Sequence, residues 1–415
     1  MPANYLHGVE TVTVDNGAKP IRVVKSAVIG IVGTAPIQLL DVANQTINKP
    51  VLLTSEVAAA KYFGAETAGY SLPTALKAVF KKRAATVIAI NVFNPAIHKT
   101  GETPDPTLVT NADIIGTVDV AGNRTGMQAW LNAYSLFGFK PKILIAPGWS
   151  FLAAIRTELE ALADRLHAIS YSDAPVGTTF QQAIEGRGPA GTVNLQTSSR
   201  RSMLHYPHVQ VYDSVSNTNV LQPYSAFAAG IRAWKDLEFG YWWSNSNTQI
   251  DGIVGTELPL TGEINDSTSE INLLNEAGIV TVFNSFGTGF RTWGSRSAAW
   301  PSETGPNTFE ACIRTGDVIG DSIEYAMLQF LDRPFSQAFV DSVTESVRQF
   351  MRKLQGDGAI LDGNCWYDPA DNETTELSNG HVTFRYDYMW PPTMERITFV
   401  RTMNLDYLSS IGGSN

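Results

Sequence analysis

Cysteine is nearly absent, with Cys312 and Cys365 the two in 415 residues. That is too few for a disulfide framework or a thiolate zinc site. Basic charge is also short: 30 Lys and Arg face 40 Asp and Glu, a formal net charge of −10. General nucleic-acid binding, which needs clustered cations against phosphate, is excluded on that balance. No run of about 18 apolar residues occurs; the best stretch, 142–155, is broken by Pro147, Gly148 and Ser150. Direct membrane insertion is therefore not expected. The opening MPANYLHGVETVTVD has neither a basic start nor an apolar core, so no secretory leader is expected and synthesis is expected in a cytoplasm. Charge is sparse altogether, 17% against 44% hydrophobic. This rules out a disordered chain and fits a protein with much surface buried against something. At roughly 150 residues per domain, the length allows two or three domains.

What is present alternates. VETVTV (9–14) has period two, with Val12 and Val14 on one face, and is followed by turn signals at Asn16-Gly17 and Pro20. The continuous apolar runs AVIGIVGT (27–34) and AATVIAINV (84–92), then KILIA (142–146), AISY (168–171) and HVQVYD (208–213), read as strands. Helical patterns fall between them at Val57–Phe63, Leu72–Lys82, Thr125–Leu136, Phe151–His167 and Pro223–Leu237. Thr178 with Gln181 reads as a capping box. Such alternation predicts an α/β core with an open, mostly parallel sheet. The Pro-rich stretch at about 94–120 reads as a loop or small insertion. In the last third, IVTVF (279–283) reads as a strand, and Asn307 with Glu310 as the cap of a helix reaching about Leu331. Val343, Val347, Phe350, Met351 and Leu354 form one stripe of an amphipathic helix. GAILDG (358–363) and HVTFRYDY (381–388) read as strands. After Pro391-Pro392, a terminal strand places Ile397, Phe399, Met403 and Leu405 on one face.

No chemical motif survives its simplest explanation. Gly148-Trp149-Ser150 resembles a nucleophile elbow, but Leu152 stands where the second glycine is required, and Ser150 is explained as a helix N-cap. Gly186, Gly188 and Gly191 spell a dinucleotide fingerprint, but they follow a helical stretch rather than a strand. His205 and His208 lack a third metal ligand and read as loop and strand-edge histidines. Asp362, Asp368 and Asp371 lack EF-hand spacing and read as solvated loop carboxylates. The two cysteines read as small buried hydrophobes. Trp242, Trp243 and Trp293 read either as core aromatics or as contacts of a binding module. Arg348, Arg352 and Lys353, at the end of the amphipathic helix, either complement its dipole or dock on an acidic partner.

Several segments resemble one family. YLHGVETVTVDNGAKPIRVVKSAVIGIVGTAP (5–36), EFGYWWSNSN (238–247), NLLNEAGI (272–279), GFRTWGSR (289–296), DSIEYAMLQFLDRP (321–334) and GAILDGNCWYDP (358–369) are similar, in this order, to contractile phage tail sheath proteins of the P2/Mu-like group. The resemblance spans nearly the whole chain and is weakest around 94–118. It implies an α/β core, often labelled subtilisin-like but non-catalytic, and a smaller α+β C-terminal domain with extended terminal arms. The expected organisation is an arm at 1–26, a core at 27–265, a C-terminal domain at 266–392, and an arm strand with tail at 393–415. The implied function is structural, in a virion or a tail-like bacteriocin: stacked six-membered rings that contract around an inner tube. The implied partners are neighbouring sheath subunits, the inner tube protein, and baseplate and tail terminator proteins. Residues Val9, Val12, Val14, Ile397, Phe399, Met403 and Leu405 would form strands between subunits. Arg348, Arg352 and Lys353 would touch the tube. Pro391-Pro392 would serve as a hinge. No cofactor, metal or catalytic residue is implied. The rival reading is a hydrolase with Ser150 as nucleophile.

Overall fold

The computed structural model describes residues 20–410 apart from 84, 190, 215 and 286. Val9, Val12 and Val14 lie outside the described residues. A nine-stranded sheet organises the chain. Its middle six strands are parallel, in the order Ile279–Ser285, Ser202–His205, Ile169–Asp173, Ile143–Ile145, Val28–Gly33 and Thr86–Asn91. Antiparallel strands finish both margins: Val51–Leu53 on one side, Gly289–Trp293 and Thr248–Gln249 on the other. The Val28–Gly33 strand is buried along its whole length, as an apolar run in the middle of a sheet covered on both faces must be.

Helices cover the two faces. Leu72–Phe80 and Tyr224–Glu238 pack together on one. Gly230 permits that approach, since a Cβ there would lie 2.4 Å from the Val79 carbonyl oxygen. Ala153–Leu166 and the 3-10 turn Gly126–Asn132 cover the other. There Trp130, fully buried, donates from its indole to the Ile88 carbonyl at 3.3 Å. The stretch at 94–120 carries a two-residue-per-strand hairpin (Lys99–Thr100 with Thr103–Pro104) and the short helix Asn111–Ile115.

A smaller unit follows: helix Glu310–Met327, helix Gln337–Gly356, and the antiparallel pair Asp362–Tyr367 with Phe384–Met389. The apolar stripe is the core of this unit. Val347, Phe350, Met351 and Leu354 pack with Val318, Ile319, Ile360 and Cys365.

Several expectations need correction. Ile279–Ser285, expected in the C-terminal domain beginning at 266, belongs to the large sheet, so that sheet extends to Trp293. Val209–Asp213 is a strand, but in a separate three-stranded antiparallel sheet with Thr218–Gln222 and Gly255–Thr256. The capping box is Thr179 with Gln182, one residue later than expected. The helix expected from Asn307 has Phe309 at its cap, and Glu310 is turned inward. The strand expected at 358–363 begins only at Asp362, because Ala359 and Ile360 plug the apolar cluster beneath it. No strand forms over 393–404, where the backbone finds no ladder partner in its own chain among the described residues. Ile397, Phe399, Met403 and Leu405 are all exposed.

Candidate functional site

An open parallel sheet offers a ligand crevice where its strand order reverses. Here that point lies between Val28–Gly33 and Ile143–Ile145, since the chain passes to Thr86–Asn91 on one side and then returns to the other. A cavity of about 280 Å³ opens there, lined by Ser71, Pro147, Gly148 and Pro223, with no charged side chain in its lining. Ser71 stands at the start of the Leu72–Phe80 helix, and its Oγ accepts from the Thr34 N–H at 3.1 Å. A Cβ on Gly33 would lie 2.4 Å from that same Oγ, so the helix start packs directly on the strand end.

The elbow-like serine is also committed. Ser150 is fully buried and is not a cap, because the following helix starts at Ala153 with Leu152 as its cap. Its Oγ accepts from the Asp173 N–H at 3.0 Å and donates to the Asp173 carboxylate at 3.4 Å. That carboxylate also accepts the Ser225 N–H at 2.7 Å and the Ser225 hydroxyl. The serine's one proton is therefore held by a structural carboxylate, not by a base that could activate it.

His205 is not at a loop or strand edge; it sits in an interior strand between the rings of Tyr171 and Tyr224. Burial pulls its pKa down to about 4 against the opposing charge of Asp173. It is thus neutral at physiological pH. His208, also buried, lies 3.7 Å from Glu257. Among the described residues no His, Cys, Asp and Glu cluster could hold a metal. Gly186 caps the Phe180–Glu185 helix, so the glycine run is a loop as expected. Cys365 is buried, but Cys312 is only half-buried.

The aromatic residues of the binding-module reading are separated by role. Trp242 accepts the Trp390 indole on its carbonyl at 3.4 Å, Trp243 is exposed beside Phe239, and Trp293 packs on Phe283. The three cations of the amphipathic helix are engaged within the chain. Arg348 donates to the Cys365 carbonyl at 2.8 Å, Arg352 pairs with Glu345, and Lys353 lies 3.7 Å from Asp357. Asp362 opens a strand, Asp368 caps a 3-10 turn, and Asp371 pairs with Arg385.

The densest polar chemistry lies elsewhere, in a seam that the sequence reading missed. Along helix Glu310–Met327, the residues Glu310, Arg314, Asp317 and Asp321 recur at helical spacing and all face inward. They meet the N-terminal ends of the parallel strands. Glu310 accepts from Tyr171 at 2.5 Å and Asn245 at 3.1 Å. Arg314 pairs with Asp236 and donates to the carbonyls of Ser26 and Lys142. Asp317 takes Arg201 in a bidentate pair at 2.6 and 2.8 Å. Asp321 binds Lys142 and, at 2.6 Å, His167.

Charge partners decide the protonation states. Burial lowers the Lys142 pKa despite Asp321. Burial would raise Asp321, yet Lys142 and His167 hold its carboxyl below the ordinary value of 3.8. The seam bolts the smaller unit to the sheet. Its signal was a polar stripe with the same period as the apolar one.

The second functional feature is the C-terminal segment. Residues 394–408 are all exposed. Over 396–407 they alternate, with Val400 and Arg401 the exceptions: Ile397, Phe399, Met403, Leu405 and Tyr407 have one parity, while Arg396, Thr398, Thr402, Asn404 and Asp406 have the other. That is the pattern of a strand awaiting a two-faced environment. Among the described residues, Asp362–Tyr367 and Phe384–Met389 pair only with each other, which leaves an edge on each side.

A serine committed to a structural carboxylate and a long exposed tail with an apolar face are features of a subunit that packs against other chains. Two family models match in tandem, the phage tail sheath protein central domain over residues 122–298 and the phage tail sheath C-terminal domain over 306–404. The tail sheath protein of Burkholderia phage BcepMu is 44% identical, with both chains covered in full. That of Escherichia phage P2 is 28% identical over 99% of this chain and 98% of its own. The chain belongs to the phage tail sheath family, and it is a structural subunit of a contractile tail in a virion or tail-like particle. The fold agrees with two solved sheaths. One is the contracted helical sheath of the anti-feeding prophage (TM-score 0.69, 17% identity, 96% of this chain and 99% of that one). The other is the contracted PVC sheath of an extracellular contractile injection system (TM-score 0.68, 14% identity, 97% and 99%).

Proposed function

We propose that copies of this chain are linked strand to strand through their termini into stacked six-membered rings around an inner tube, and that contraction of this lattice drives the tube through a target envelope. The observation that carries the reading is the exposed, alternating segment 394–408 beside a two-stranded sheet with open edges. An exposed apolar strand face is costly alone and is stabilised by adding to a sheet edge. A two-stranded sheet is marginal by itself and gains from further strands. Contacts of one copy's tail with the next copy's sheet are heterologous, so they propagate instead of closing into a dimer. In this reading Ile397, Phe399, Met403 and Leu405 supply one added strand, and Val9, Val12 and Val14 of another copy the second.

The tube contact is assigned to Arg348, Arg352 and Lys353. Because Glu345 and Asp357 neutralise two of the three, the grip is weak and can be released during contraction. Baseplate and tail terminator proteins would cap the two ends of the lattice. The subtilisin-like label then refers to the open parallel sheet alone.

The test is truncation. Removal of residues 1–20, or of 396–415, should leave a soluble folded core that forms no tubes by electron microscopy. Normal tubes from both truncations would overturn the linkage.

A further inference from the structure

The exposed tail has to be aimed as well as exposed, and the structure shows where its free part begins. Trp390, the last residue of the C-terminal unit's core, is 2% exposed and packs with Phe309 and Ala311. Five residues later Glu395 is gripped by Arg296. The guanidinium donates from Nε at 2.9 and 3.1 Å and from Nη2 at 2.7 Å, and Ser295 Oγ donates to the same carboxylate at 2.9 Å. Arg296 itself is fixed. Its guanidinium lies 4.1 Å from the ring centroids of both Trp300 and Phe309, and its Nη1 donates to Thr308 at 2.8 Å. A bidentate fork held between two aromatic faces has little freedom to follow a moving partner.

We propose that Arg296 and Glu395 form a clamp that sets the root and direction of the C-terminal arm, so that the arm pivots at residue 396 rather than at Pro391-Pro392. The prolines lie between two anchors, Trp390 and Glu395, and their φ angles are fixed by the ring; this strap is stiff and cannot serve as the hinge. Arg296 leaves the large sheet directly after the Gly289–Trp293 strand. The clamp therefore ties the arm to the core sheet, not merely to the unit from which the arm emerges. Every arm leaves its subunit at the same angle, which a propagating strand exchange between identical copies requires.

This inference rests on the arm reading of the preceding subsection, and the experiment separates the two. Four full-length proteins are compared: wild type, Glu395→Gln, Glu395→Lys and Arg296→Lys, together with the chain truncated after Glu395. Tube formation is followed by sedimentation and electron microscopy. Trypsin cleavage after Arg396 and Arg401 is timed on unassembled protein. With the clamp intact, the bond after Arg396 should be cut at least several-fold more slowly than that after Arg401. Glu395→Gln and Arg296→Lys should bring the two rates together. Glu395→Lys should raise the concentration needed for tubes at least tenfold, with thermal unfolding of the core unchanged because Glu395 is a surface group. Tubes at the wild-type concentration from Glu395→Lys, while the truncated chain forms none, would overturn the clamp and leave the arm reading intact. Normal tubes from the truncated chain would overturn both.

Discussion

Removing Asp321 tests the seam that joins the two units. The Lys142 side chain is only 6% exposed and that of Asp321 3%. In Asp321→Ala the ammonium keeps the Leu166 carbonyl at 2.8 Å and the His167 carbonyl at 3.2 Å but loses its counter-charge. Breaking a buried pair from one side costs about 3–5 kcal/mol; with two carbonyls retained, the lower end, about 3 kcal/mol, is expected. Lys142→Met alone leaves Asp321 with His167 and should cost roughly the same. The double variant Lys142→Met/Asp321→Leu removes both charges but leaves the Leu166 and His167 carbonyls without their donor; it should cost about 3–4 kcal/mol, well short of the additive sum of about 6, giving a coupling energy of about 2–3 kcal/mol. Thermal unfolding of unassembled protein, followed by near-ultraviolet circular dichroism, measures the cycle. The pH dependence has a fixed sign. Asp321 titrates below 3.8 in the folded chain, so its contribution is complete above the unfolded value and lost as pH falls through the folded one. The wild type and Asp321→Asn should therefore differ most near neutrality and converge below about pH 3.8. Additive single effects, or a difference constant from pH 7 to 3, would refute the reasoning.

Three further outcomes are expected. Phe350→Ala should destabilise by about 3–5 kcal/mol, because it opens a cavity in the small apolar cluster of the C-terminal unit, and chemical denaturation would then show that unit melting first. Ser150→Ala should cost about 1–3 kcal/mol, measured by chemical denaturation, because the buried Asp173 N–H loses its acceptor while the Asp173 carboxylate keeps both Ser225 donors. Charge reversal at Arg348, Arg352 and Lys353 together should leave the fold and sheath tubes intact but reduce retention of the inner tube in purified particles.

The strands that are apolar on both faces were legible because burial in a two-sided sheet leaves a continuous run, as in Val28–Gly33 and Thr86–Asn91. Ser202–His205 was missed: its Ser and His are buried by specific partners, not by hydrophobicity, and nothing local announces them. Val209–Asp213 read correctly as a strand, but its partner, Thr218–Gln222, is a matter of pairing that no single segment encodes. Ser150 has the chemistry of a cap, and only the chain's turn toward Asp173 reveals its use. The seam was legible in principle, since Glu310, Arg314, Asp317 and Asp321 recur on one helical face. A charged stripe is usually a solvated one, however, and its burial depends on Lys142, Arg201 and Asp236 arriving from far away in the chain. The terminal segment was read as a strand from its alternation. Among the described residues it joins no ladder, and its pairing is proposed to lie on another copy.

The central claim is tested most directly by imaging the purified full-length protein by electron microscopy. A 415-residue chain has a radius of gyration of about 22 Å and a diameter of about 56 Å, so a ring of six is about 170 Å wide around a hole of about 56 Å. Hollow, cross-striated tubes of at least that width are the expected result. Monodisperse single subunits at every concentration, with no tubes or rings, would contradict the account.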